Sequence, residues 1–192
     1  MKNRPKFKIS RKVFEYFEQH KKMLFGEMYF RLYNPQIDSI VEKYDQTEWS
    51  MIFEGTSETD IKELNECINV VILLWCKVQT EEPCGMLYLE ESHLRSNEIV
   101  FHGGTWNHNP KLYVQIFRSL SGMLMFILSS GAAITTTCGL NNKRADRFQK
   151  WLFFEEKARD EFRSYKTLNK ERFEKSAIIK RYHNLTEEAF KF

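Results

Sequence analysis

The chain has 192 residues, of which 42% are hydrophobic, 15% aromatic and 29% charged. That composition suits one globular domain with one core and excludes a disordered polymer. A formal net charge of +3 is too small to imply a nucleic-acid partner, and the most apolar stretches, 68–78 and 120–128, are well short of the roughly 20 residues a bilayer span needs.

The first twelve residues carry Lys2, Arg4, Lys6, Lys8, Arg11 and Lys12 with no acid. Residues 1–10 read as a basic N-terminal arm on a single domain covering 1–192. No apolar run follows this start, so no secretory signal is indicated. Cys67, Cys76, Cys84 and Cys138 lie apart, without a C-x-x-C pair or His/Cys ligand spacing. They predict reduced, mostly buried thiols, no metal site and a cytoplasmic chain.

From Ser10, the apolar residues Val13, Phe14, Phe17 and Leu24 recur at helical spacing. Asn34-Pro35 predicts a second helix start, since asparagine caps and proline suits the first helical position. Ile37, Ile40, Val41 and Tyr44 would form its apolar face. Residues 68–78 are a continuous β-branched run, as expected of a strand covered on both faces. Residues 81–85 break it as a turn, and 86–90 predict a hairpin partner. A third strand is expected over 98–106. Asn109-Pro110 opens a long helix carrying Tyr113, Val114, Phe117, Leu120, Leu124 and Leu128, with Gly131 as its stop. Residues 133–138 predict a further strand. Ala145, Phe148, Trp151 and Leu152 space out a short helix, and 153–158 and 176–183 predict two last strands. Trp49, Trp75, Trp106 and Trp151 read as core or core-edge residues.

The stretch from Thr135 to Phe154 carries Asn142, Ala145, Phe148, Leu152 and Phe154 after a strand and along a short helix. In that pattern, and in the order of its elements over about 65–185, the chain resembles the GNAT superfamily of N-acetyltransferases. The resemblance implies an α/β (α+β) fold: a mixed, mostly antiparallel central sheet with helices on both faces. It also implies a V-shaped split between two parallel strands, here 98–106 and 133–138. Acetyl-CoA would lie in that split, with its pyrophosphate at the start of the long helix, where free N–H groups and the helix dipole favour anions. The implied activity is transfer of an acetyl group to an amine of a small molecule or a protein. Glu98 and His102 are the implied proton acceptors, and Gly103, Gly104, Lys111 and Asn142 the implied cofactor contacts. With period two, Glu98 and His102 share a face but lie roughly 13 Å apart, too far for a hydrogen-bonded dyad.

The chain departs from the family pattern in three places. Its loop reads Gly103-Gly104-Thr105-Trp106-Asn107-His108-Asn109-Pro110-Lys111: the glycines come early and Pro110 has no N–H to offer an anion. Gln149 stands where many members have a tyrosine that reprotonates the leaving thiolate. Phe153 replaces the glycine before Phe154. The alternative these departures imply is a catalytically inactive GNAT-fold protein serving in a homo-oligomer or larger assembly, such as a phage head, which would place it inside a virion.

Overall fold

The computed structural model of the chain describes residues 7–38, 63, 65–92, 95, 97–106, 110–177 and 179–180, apart from the side chains of Pro110, Lys111 and Tyr113. In chain order its elements are α1 (Lys8–His20), β1 (Met23–Phe25), β2 (Met28–Leu32), β3 (Val70–Lys77), β4 (Pro83–Glu91) and β5 (Glu98–Thr105). After them come α2 (Pro110–Ser129), β6 (Ala133–Gly139), α3 (Lys143–Trp151), β7 (Phe154–Arg159), β8 (Arg163–Leu168) and α4 (Lys170–Lys175). The eight strands form one sheet in the order β1-β2-β3-β4-β5-β6-β8-β7. Every neighbouring pair is antiparallel except β5 and β6, which are parallel. The parallel pair is possible because α2 carries the chain back across the sheet between them.

The main core lies on one face. Val71, Leu73 and Trp75 of β3, Leu87 and Leu89 of β4, and Ile99 and Phe101 of β5 pack against Val13 and Phe17 of α1 and Ile116, Leu120 and Leu124 of α2. The opposite face carries a second cluster built from Tyr29, Tyr33, Val70, Ile72, Leu74, Cys76 and Met86. β3 is therefore buried on both sides along all but its last residue, as its continuous apolar run requires. Three of the cysteines are buried, Cys67 is exposed, and all four are free thiols. Burial raises the Cys76 thiol pKa and pushes that of Cys84 up to about 12, which leaves both inert. Among the described residues no helix is long and apolar enough to cross a membrane.

Several expectations need correction. The proposed arm, 1–10, is partly structural: Ile9 and Ser10 are buried in the first turn of α1. Leu24 does not continue that helix but sits in β1, on the solvent side of a hairpin whose other residues, Met23 and Phe25, face the core. Residues 35–37 form a turn in which Asn34 Oδ1 accepts the Gln36 N–H, and Ile37 is 74% exposed. Ile40, Val41, Tyr44 and Trp49 lie outside the described residues. β4 begins at Pro83, inside the expected turn, which is confined to 78–82. Residues 177, 179 and 180 are helical, so the strand expected over 176–183 does not exist there; among the described residues the last strand is β8. Trp151 ends α3 on the surface, 61% exposed.

Phe153 has φ +64°, the left-handed conformation that glycine adopts without strain and other residues adopt at about 1 kcal/mol. Its ring packs edge-on against Phe173 at 6.4 Å and beneath the Arg172 guanidinium at 5.8 Å.

Candidate active site

The site follows from where β5 and β6 stop pairing. Their register runs Glu98↔Ala133, Ile99↔Ile134, Val100↔Thr135, and no further pair follows among the described residues. Both strands continue beyond it, β5 to Thr105 and β6 to Gly139. The two strands therefore part like a V whose apex lies at Val100 and Thr135.

Backbone parity then decides which groups face the gap. Ala133 N–H donates to Asn97 C=O, so alternate residues from Ala133 onward, including Thr135 and Thr137, address β5. By the same alternation Ile99, Phe101 and Gly103 address β6. On the other edge of β5 the even residues serve β4, shown by Ser92 N–H to Glu98 C=O and Trp106 N–H to Cys84 C=O. The next two rungs of the parallel ladder would be Thr137 N–H to Phe101 C=O and Gly103 N–H to Thr137 C=O. Neither forms. Phe101 C=O and Gly103 N–H face the gap from the β5 wall, and Thr137 N–H faces it from the β6 wall.

Gly103 is thus well placed for a ligand's amide, and it has no side chain to close the gap. Gly104 is not: it pairs with Met86 and its backbone groups belong to β4. Trp106 does not plug the mouth, because its indole N–H donates to Pro83 C=O at 2.9 Å, on the β4 side. Asn142 caps α3, its Oδ1 accepting the Ala145 N–H at 3.0 Å; its first duty is to fix that helix beside β6. Lys111 lies in the first turn of α2, with its side chain outside the described residues. The helix starts at Pro110, which brings no N–H to an anion.

Glu98 and His102 share the face opposite α1 and α2, as alternation requires. Glu98 sits at the apex. Its Oε2 pairs with Arg95 Nη1 at 3.2 Å and its Oε1 accepts from Thr135 Oγ1 at 3.2 Å, so the carboxylate ties the two strands together where they are still joined. His102 stands beside the open part of the V, stacked on Tyr88 with centroids 4.5 Å apart and planes 15° from parallel. Burial, with the nearby Arg163 charge adding to it, lowers the imidazole pKa to about 4. The ring is therefore neutral at physiological pH.

That shift carries a pH signature. The unfolded ring has a pKa of about 6.5, so between 6.5 and 4 the unfolded chain takes up a proton that the folded chain refuses, and stability falls as pH falls through this window. The carboxyls that hydrogen bonding lowers, Asp146, Glu155, Glu156 and Asp160, act mainly below it. Urea unfolding at pH 7 and pH 5 is expected to show a loss in the wild type that His102→Asn largely removes; an equal loss in both proteins contradicts the assignment.

On the helix side of β6 lies a polar cluster that the sequence does not announce. Lys166 of β8 has a side chain only 1% exposed; its Nζ donates to Asp146 Oδ1 at 2.6 Å and to Gln149 Oε1 at 2.8 Å. Gln149 Nε2 in turn donates to Thr137 C=O at 3.0 Å and to Thr136 Oγ1 at 3.3 Å. Hydrogen bonds from Lys150 and Lys166 hold the Asp146 carboxyl below the usual carboxylate range. Gln149 is thus held at both ends of its amide, by Lys166 and by β6. Among the described residues no group of three or more His, Cys, Asp or Glu side chains could hold a metal ion.

No protein-family profile and no curated protein matches the chain by sequence. Solved structures match it in shape. The aminoglycoside acetyltransferase AAC(6')-Ib, solved with coenzyme A and kanamycin, superposes with a TM-score of 0.60 at 14% identity, over 78% of this chain and 98% of that one. Spermidine N-acetyltransferase from Vibrio cholerae, solved with CoA and spermine, gives 0.56 at 15% identity over 73% and 93%. An uncharacterized protein from Bacillus halodurans gives 0.64 at 10% identity over 85% and 92%.

Proposed function

From a chain that has the fold of the GNAT acetyltransferases, we propose an acetyltransferase that takes acetyl-CoA in the split between β5 and β6 and an amine from the face bearing His102. The observation that carries this reading is the end of the β5–β6 ladder at Val100 and Thr135, beyond which Phe101 C=O and Gly103 N–H face the gap. An acceptor and a donor two residues apart on an open strand edge suit the amides of a pantetheine arm, which would extend the sheet in place of the missing rungs. Phe101, Gly103 and the Thr137 N–H are the groups that would hold it, and acetyl-CoA supplies the acyl thioester on which the amine acts.

The chain's own residues orient and desolvate. His102, held near pKa 4, is a weak base, so it accepts a hydrogen bond from an amine that arrives already neutral. Glu98, at the apex of the same face, is the group to which a proton passes through water. No tyrosine stands beside the split on α3, so the leaving thiolate takes its proton from solvent. This arrangement supports a slow enzyme whose catalysis is mainly positioning.

The amines carried by the neighbours' ligands, kanamycin and spermine, are the first acceptors to try. Calorimetric titration with acetyl-CoA, followed by an assay for free thiol with each amine, tests the proposal. Saturable binding with amine-dependent thiol release is expected. Binding without release would favour the inactive assembly protein, and no binding at millimolar acetyl-CoA would sink the proposal.

A further inference from the structure

Separating two neighbouring strands of one sheet leaves backbone groups without partners, and nothing in a parallel ladder by itself prevents the next rung from forming. Here the group most exposed to that closure is Thr137 C=O, which by parity addresses Gly103 N–H across the split. It is taken by Gln149 Nε2 at 3.0 Å. The amide can serve only in this orientation. Lys166 Nζ donates and cannot accept, so the Gln149 atom 2.8 Å from it must be the oxygen, and the nitrogen must face β6. Lys166 is itself held by Asp146 at 2.6 Å, and Asp146 is held by Lys150 at 2.8 Å. Burial to 1% leaves the ammonium no water to turn to.

We infer that the Lys166–Gln149 pair is a prop that holds the split open from inside: by drawing Thr137 C=O toward α3 it competes with Gly103 N–H for that carbonyl and leaves the Gly103 amide to a ligand. Gln149 is the prop and Lys166 the positioning residue that sets its direction. The residue that stands in place of the family's proton donor thus has a duty of its own. A preorganised slot spares the ligand the cost of breaking a rung before binding. As a device for cofactor binding, the inference rests on the function proposed above; as a device that parts two strands, it can be tested without any ligand.

The test is amide hydrogen exchange on the unliganded protein, read at Gly103 by NMR, for the wild type, Gln149→Leu and Lys166→Met. Gln149 is only partly buried, so Gln149→Leu is the variant that keeps the test open should Lys166→Met fail to fold. In the wild type the Gly103 amide is expected to exchange like a solvent-exposed amide. In Gln149→Leu, Thr137 C=O is free to accept it, and exchange is expected to slow by about tenfold or more while acetyl-CoA affinity falls roughly tenfold. A Gly103 amide already protected in the wild type, or one whose exchange is unchanged in Gln149→Leu, overturns the inference. Slowed exchange in the variant with no acetyl-CoA binding to either protein supports the prop and removes the proposed function. Unchanged exchange with intact binding does the reverse.

Discussion

Replacing Glu91 by alanine is expected to lower stability by about 3 kcal/mol, or roughly 10 °C in melting temperature for a chain of this size. The reason lies at the start of α1. The first amides of a helix have no intrahelical partner, and the residue before this one, Phe7, offers no side-chain cap. Glu91, at the end of β4 and buried, supplies the cap from 81 and 82 residues away: its Oε2 accepts Ile9 N–H and Ser10 N–H, each at 2.9 Å, and lies 3.2 Å from Ser10 Oγ. Ser10 Oγ also donates to Asn69 C=O at 3.0 Å, and Asn69 Nδ2 to Glu91 C=O at 3.1 Å, closing a buried ring of polar contacts. Alanine leaves two helix amides unpaired inside the protein and removes a negative charge from the positive end of the dipole. Glu91→Gln keeps one acceptor and should lose less than half as much. Thermal unfolding of the two variants gives the answer; equal melting temperatures for Glu91→Ala and the wild type would rule the cap out.

Gly122→Ala is expected to destabilise by about 2 kcal/mol, against the propensity of the helix it sits in. Alanine within α2 should gain about 1 kcal/mol over glycine. A Cβ at Gly122, however, would overlap the ring of Phe25, one of the two core-facing residues of β1, and a packed core yields to overlap only by moving ring or strand, at about 1–3 kcal/mol or more. The overlap wins. The two effects separate in a double-mutant cycle: in a Phe25→Leu background, where the ring is gone, Gly122→Ala should become neutral or stabilising. Chemical denaturation of the four proteins measures the coupling, and a Gly122→Ala effect that is the same in both backgrounds would contradict it.

What the sequence made legible, and what it hid, divides along the range of the forces involved. β3 is readable because a strand buried on both faces needs apolar residues without interruption, and residues 70–76 supply them. α2 is readable from its spacing and from Gly131, which adopts φ +83° after the helix. β8 is not, because its inward residues are Ser164, Lys166 and Leu168. A buried lysine looks like surface until Asp146 and Gln149 are brought beneath it, and those arrive from another element. The strand expected at 176–183 was suggested by Ile178 and Ile179 alone, too few for any period to be distinguished. The hairpin β1–β2 was missed because Leu24 falls in helical phase with Phe17 although the chain has already turned at Lys21, where φ is +62°.

The site shows the same division. The glycine pair lies near the end of β5, and alternation puts Glu98 and His102 on one face. Which of the two glycines offers its amide depends on which edge of β5 it addresses, and that is fixed by the bond from Ala133 to Asn97, between residues 36 positions apart. Parity cannot be read before register is known. Gln149 is visible in sequence only as a missing tyrosine; its hydrogen bond to Thr137 needs α3 folded over β6.

The central claim is that the gap between Phe101–Gly103 and Thr137 receives the pantetheine of acetyl-CoA. It is tested most directly by titrating acetyl-CoA into ¹⁵N-labelled protein and following the backbone amides. The account expects saturable shifts concentrated at Gly103 and Thr137, the donors that face the gap from the two walls, with Gly104, already paired with β4, moving far less. Shifts of equal size on Gly104, shifts confined to surfaces away from the β5–β6 split, or no shift at millimolar acetyl-CoA would contradict it.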